Sequence, residues 1–185
     1  MESREQWEWY GVAAHLIVGR NCRFHLATIV GEYLISTVGQ YVPDSDVREA
    51  LAQTRGVTLR GWGDERERSW MEQVGYEEIG AGRTYETMVF KVDAADRCAK
   101  SGCNCGMPQV SEWSEKDSDG YNDAGAATRG HLLMCEKWAA IQICRRDGHP
   151  FDSDAPPGIV ADWLDEHGYA ERAGALRLAQ AAYQV

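Results

Sequence analysis

The chain has 185 residues, 44% apolar and 26% charged, with seven tryptophans and a formal charge of −10. This composition supports one buried core and excludes a disordered chain. The charge argues against non-specific nucleic-acid binding, because the phosphate backbone repels it, and suits a protein partner with a basic surface.

The first residues, MESREQWEWYGVAAHLIVG, carry acids where a secretory signal has a basic region, and His15 interrupts their apolar run. Nothing approaches the ~20 consecutive apolar residues of a membrane span. The expectation is therefore a cytoplasmic protein, with its thiols reduced and no membrane partner.

Residues 12–43 are rich in β-branched and aromatic types. CRFHLATIV and YLISTVGQYV, parted by Gly31-Glu32, predict a β-hairpin that ends at Pro43. PDSDVREALAQ then predicts a short helix capped by Asp44 or Ser45. GVTLRGWG predicts a short strand or turn, and DERERSWMEQVG a second helix closed by Gly75. RTYETMVFKVD alternates as a half-buried strand, with Glu86, Met88, Phe90 and Val92 carrying most of the apolar weight and so expected inward. From Arg97 to Asn122 the pattern gives way to Gly, Ser, Asp and Cys, which predicts a long irregular loop that something must hold. Within it, DSDGYND departs from a calcium loop and fits a turn followed by a helix cap.

A helical period resumes from Ala124 to Arg146 and stops at Gly148 and Pro150. FDSDAPPG has the composition of a linker, and two helices broken at Gly168 follow it. The expected fold is α+β: a small, mainly antiparallel sheet with short helices, a metal-stapled loop plus helix, and a C-terminal helical hairpin. Its parts are a body over 1–147 that includes the metal loop and helix (97–146), a linker over 148–158, and the hairpin over 159–185.

Three of the six cysteines fall within CAKSGCNCGMPQ, as Cys98, Cys103 and Cys105. His131 and Cys135 stand four apart, on one face of the long helix, and Trp138 shares that face and turns it inward. A cysteine loop facing such a pair suits tetrahedral zinc, with four ligands drawn from Cys98, Cys103, Cys105, His131 and Cys135. Four available ligands point to a closed, structural zinc rather than a catalytic one. The alternatives are buried thiols and a disulfide, which reducing conditions disfavour. Glu136 points to another helix face and is a poor general base. Cys144, half a turn round from Cys135, is expected outside the site.

A second polar group comprises His15, Arg20, Asn21, Cys22, Arg23 and His25. On a strand Arg23 and His25 share a face, near Ser36 and Gln40 across the hairpin and with Glu86 able to join. Such a set can hold an anionic ligand, with His as acid/base and Arg as clamp. A partly exposed sheet face with satisfied side chains explains it equally. No phosphate loop, dinucleotide fingerprint, His-Glu-x-x-His or nucleophile elbow is present.

Ala161-Asp162-Trp163-Leu164-Asp165-Glu166, Gly168, Arg172-Ala173 and Arg177 resemble the repeat-companion segment of many bacterial proteins. That resemblance, over about residues 159–178, implies a packing hairpin with no activity attached. WYGVAAHLIVGRNCRFHLATIVGEYLISTVGQYVP, RTYETMVFKV and GYNDAGAATRGHLLMCEKWA resemble accessory proteins encoded by tailed phages and prophages, over about residues 7–140. The resemblance implies a mobile-element gene product in the bacterial cytoplasm.

Three functions compete. The first is an acidic, zinc-stabilised interaction protein that binds and blocks a host complex, such as a defence (anti-CRISPR) target. The second is an enzyme acting on a small anionic or nucleotide ligand near Arg23 and His25. The third is a structural or regulatory module without a host target. Charge, the closed ligand set and the missing catalytic motifs favour the first.

Overall fold

The computed structural model describes residues 7–10, 22–41, 79, 82–98 and 106–184. The expected helices after Pro43 and before Gly75, the GVTLRGWG strand, and residues His15, Arg20, Asn21, Cys103 and Cys105 lie outside them.

The hairpin forms where the sequence places it. Strand β2 (Cys22–Val30) pairs antiparallel with β3 (Tyr33–Tyr41), and Val30 faces Tyr33 across a two-residue turn. Gly31 holds φ +59° there, which favours glycine, and it packs against the end of the Gln142 side chain from the helix that follows. Before them, β1 (Glu8–Tyr10) adds to β2; after them, β4 (Tyr85–Arg97) adds to β3 and β5 (Pro108–Tyr121) to β4. The five strands among the described residues lie in chain order and are antiparallel throughout.

Two expectations are corrected here. The stretch from Arg97 to Asn122 is largely strand, not irregular loop: β5 takes fourteen residues of it. Its polar composition hides it, because β5 lies at the edge of the sheet and leaves Ser111 to Glu115 exposed. The inward face of β4 is also wider than its alternation suggests. Tyr85, Thr87 and Val89 are buried beneath a helix, while Phe90 and Val92 are buried on the opposite face. Both sides of this strand are covered, so no single set carries the core.

Helix α1 (Ala124–Arg146) lies on the face formed by Thr28, Val30, Tyr33, Ile35, Thr37 and Val89. Asp123 caps it by accepting the Ala126 N–H at 2.8 Å, as the turn-and-cap reading expected. Gly130 lets α1 approach β5, since a Cβ there would overlap the Tyr121 ring. Gly148, at φ +85°, ends the path of the helix.

Helices α2 (Pro157–Glu166) and α3 (Ala170–Tyr183) form the expected C-terminal hairpin, turning at Gly168. Arg177 ties the two together by reaching both Asp162 and Asp165. The hairpin buries Val160, Ala161, Leu164, Ala173 and Leu176 against Ala140, Ile143 and Cys144 of α1. One ion pair sits in this contact: Arg172 Nη1 donates to Glu136 Oε2 at 2.8 Å, both side chains being almost wholly buried.

Removing one partner strands a buried charge, which costs more than removing both. Arg172→Ala is expected to lower unfolding stability in urea by about 3–5 kcal/mol, and the double replacement of Glu136 by Met and Arg172 by Leu to recover most of it. Equal losses in the two proteins would show that the pair carries no charge penalty.

Candidate functional site

Of the five expected zinc ligands, Cys98, His131 and Cys135 are described and are not grouped as a metal site; Cys103 and Cys105 lie outside the described residues. His131 and Cys135 both turn toward the sheet, as their spacing requires, and both are fully buried. What His131 meets is hydroxyl groups. Its Nε2 lies 2.8 Å from Thr28 Oγ1 and its Nδ1 2.8 Å from Thr37 Oγ1, which in turn lies 2.6 Å from Thr87 Oγ1. A neutral imidazole needs one donor and one acceptor, and a hydroxyl serves as either. Burial pushes the His131 pKa down to about 4, which keeps the ring neutral. The Trp9 ring lies over it at 6.0 Å between centroids, carried there by the pairing of Trp9 with Thr28. Both nitrogens are thus engaged: one donates its proton to a threonine hydroxyl, and the lone pair of the other accepts from the second.

Cys135 packs among Val30, Ile35, Val89 and Trp138. Cys98 follows directly on β4, and its N–H donates to Met107 O at 2.8 Å; Met107 packs with Ala27, Ile29 and Leu34 on the face away from α1. Among the described residues no three His, Cys, Asp or Glu side chains are grouped to hold a metal. Cys144 faces the helical hairpin, away from Cys135, as its helical angle required. Glu136, set aside as a base, is the partner of Arg172.

The acids of DSDGYND have protein partners. Asp117 accepts from Lys137 Nζ and Trp138 Nε1 at 2.9 and 3.0 Å, and Asp119 accepts from Tyr183 Oη at 2.7 Å.

The second polar group is partly assembled. His25 faces Val38, and Val38 faces Glu86, so the two titratable residues share the face away from α1 with one strand between them. Two strand spacings separate them by about 10 Å, which leaves no direct His–Glu bond. Ser36 is buried on the same face, one pair further along. Arg23 is exposed.

A feature that sequence reasoning missed lies at the β5 edge. Val89 pairs with Asp117 and Lys91 with Glu112, so two steps along β4 correspond to five along β5. The surplus forms a bulge over 113–116 that leaves Trp113 66% exposed. The Trp113 ring leans on Phe90 at 6.5 Å. Phe90 and Glu86 share the face away from α1, and the Glu86 carboxyl is raised above its ordinary pKa, first by burial and then by the charge of Glu115 on the bulge. No cation among the described residues offsets this. The bulge thus carries both an exposed tryptophan and the carboxylate whose charge Glu86 feels. The sequence signal for this was EWSE, an aromatic between acids within a polar strand.

A scan against protein-family models finds none that matches, and neither a curated protein nor a solved structure matches the chain. No helix among the described residues is long and apolar enough to cross a membrane.

His131 makes stability depend on pH. The unfolded chain takes up a proton near pH 6.5, which the folded ring refuses until about 4. Stability contributed by the neutral ring is therefore full above pH 6.5 and falls as pH drops toward 4, by roughly 3 kcal/mol in all. His131→Gln is expected to remove that slope from urea titrations across the same window. A slope unchanged in the variant would place the titrating group elsewhere.

Proposed function

We propose that this chain is an acidic protein-binding module that docks a basic surface through Trp113 and the neighbouring Glu86 and Glu115. The observation that carries this is the β5 bulge. It exposes a large aromatic side chain beside two carboxylates that repel one another. Tryptophan and arginine dominate binding hot spots, and an arginine or lysine from a partner would relieve the repulsion while stacking on the indole. The net charge of −10 favours the same partner through long-range steering.

The resemblance to phage and prophage accessory proteins gives the reading its setting: an inhibitor of a host complex, of the anti-defence kind, acting in the bacterial cytoplasm. A structural zinc remains part of the proposal, but with His131 bonded to threonines, Cys98, Cys103 and Cys105 would supply three of its four ligands. The purified reduced protein is then expected to hold about one zinc per chain. Cys103→Ser should remove the zinc, and His131→Gln should retain it. A metal-free protein after dialysis, or loss of zinc with His131→Gln, would contradict this assignment.

A site kept for binding is stabilised when its strain is removed, and binds less well for it. Glu115→Gln is expected to raise stability in urea by about 0.5 kcal/mol by relieving Glu86. The same variant, and Trp113→Ala, should fail to retain the partner captured by the parent protein from bacterial lysate. Retention by the parent should weaken as salt rises. Arg23→Ala and His25→Ala should retain the partner fully. Under the enzyme reading the pattern reverses: those two substitutions abolish the effect while Trp113→Ala is silent.

A further inference from the structure

On the opposite side of the sheet, beside the C-terminal half of α1, lies a cleft of about 420 Å³. It is lined by Tyr33, Lys91, Glu112, Lys116, Arg145 and Asp152. Three cations meet two carboxylates there, an inversion of the balance in a chain whose net charge is −10.

The cations are not equivalent. Lys116 is joined to Glu112, one turn of the bulge away. Arg145 is held by neutral acceptors: Nη1 donates to Tyr33 Oη at 2.8 Å, and Nε and Nη2 to Phe151 O at 3.4 and 3.1 Å. Its guanidinium also lies 5.4 Å from the centre of the Trp138 ring. The fork is therefore fixed in place, with its charge uncompensated by any ion pair among the described residues. Of its five N–H groups, two remain to donate. Lys91 sits across from Glu112 in the strand register, yet Glu112 closes on Lys116, and no carboxylate among the described residues lies within 4 Å of the Lys91 ammonium.

A fixed guanidinium with donors to spare on α1, lining one cleft with a compact ammonium from β4, suits a tetrahedral oxyanion better than a planar one. The fork binds two oxygens, and the lysine, as a point charge, takes a third. The volume falls in the range of small-molecule sites, which is about 300–1,000 Å³. We propose that this cleft binds a phosphate-bearing small molecule, its phosphate held between Arg145 and Lys91. Lys91 and Arg145 play no part in the docking surface around Trp113, so this inference stands apart from that reading.

Calorimetry with inorganic pyrophosphate at low salt, with citrate as the carboxylate control, tests it. The intact chain is expected to bind pyrophosphate saturably and citrate more weakly. Lys91→Gln, which breaks no bond among the described residues, should weaken pyrophosphate by about tenfold. Glu112→Gln should tighten it, because it releases Lys116 and removes a competing anion. The absence of saturable binding, or binding that Lys91→Gln leaves unchanged, would overturn the site. Citrate binding as tight as pyrophosphate would overturn the phosphate assignment.

Discussion

Everything described in this molecule rests on a helix that is buried on two sides. Helix α1 has the sheet beneath it and the α2–α3 hairpin above it, and a helix so placed cannot send its polar residues to water. Each polar group on a covered side must find a partner inside, or cost more than its packing returns. His131 finds two threonine hydroxyls on the sheet side, and Glu136 finds Arg172 on the hairpin side. These contacts join residues far apart in the chain, and they fix the rotation of α1 between its two neighbours. A turn of the helix in either direction would strand a histidine and a carboxylate at once.

Local order was readable from the sequence, and long-range chemistry was not. The Gly31 hairpin, the span of α1 and the break at Gly168 follow from short-range rules: turn glycines, helical period, Asp123 as cap. Strand β5 escaped those rules because an edge strand need not be apolar, and its partner β4 supplies what its own residues lack. The inward direction of His131 and Cys135 was also readable, since spacing on a helix fixes a face. What stood opposite that face was not. Periodicity places an imidazole inside without telling a thiolate from a hydroxyl, and the answer lay in Thr28, Thr37 and Thr87 on three separate strands. Buried threonines at matching inward positions were the available clue, because their hydroxyls also require partners. The same limit hid the Glu136–Arg172 pair, whose members are 36 positions apart.

The contrast between this interior and the β5 edge bears on function. Inside, His131 and Glu136 of α1 are matched to their surroundings. At the edge, Glu86 and Glu115 are left to repel one another beside an exposed Trp113. This mismatch is the observation on which the proposed docking of a basic partner rests. The cleft at Lys91 and Arg145 shows the complementary imbalance on the other side of the sheet. Rigid placement of α1 serves both, since Arg145 is carried by α1 and Trp113 leans on the strand beneath it.

The central claim is that His131 is a neutral core residue, hydrogen-bonded through both nitrogens. Nitrogen-15 NMR of the imidazole, followed from pH 7 to pH 4 with and without added zinc, tests it directly. The account predicts one protonated and one unprotonated nitrogen down to about pH 4, with shifts that zinc does not move. A ring that titrates near its ordinary value of about 6.5, or a nitrogen shift that moves on zinc addition, would contradict it.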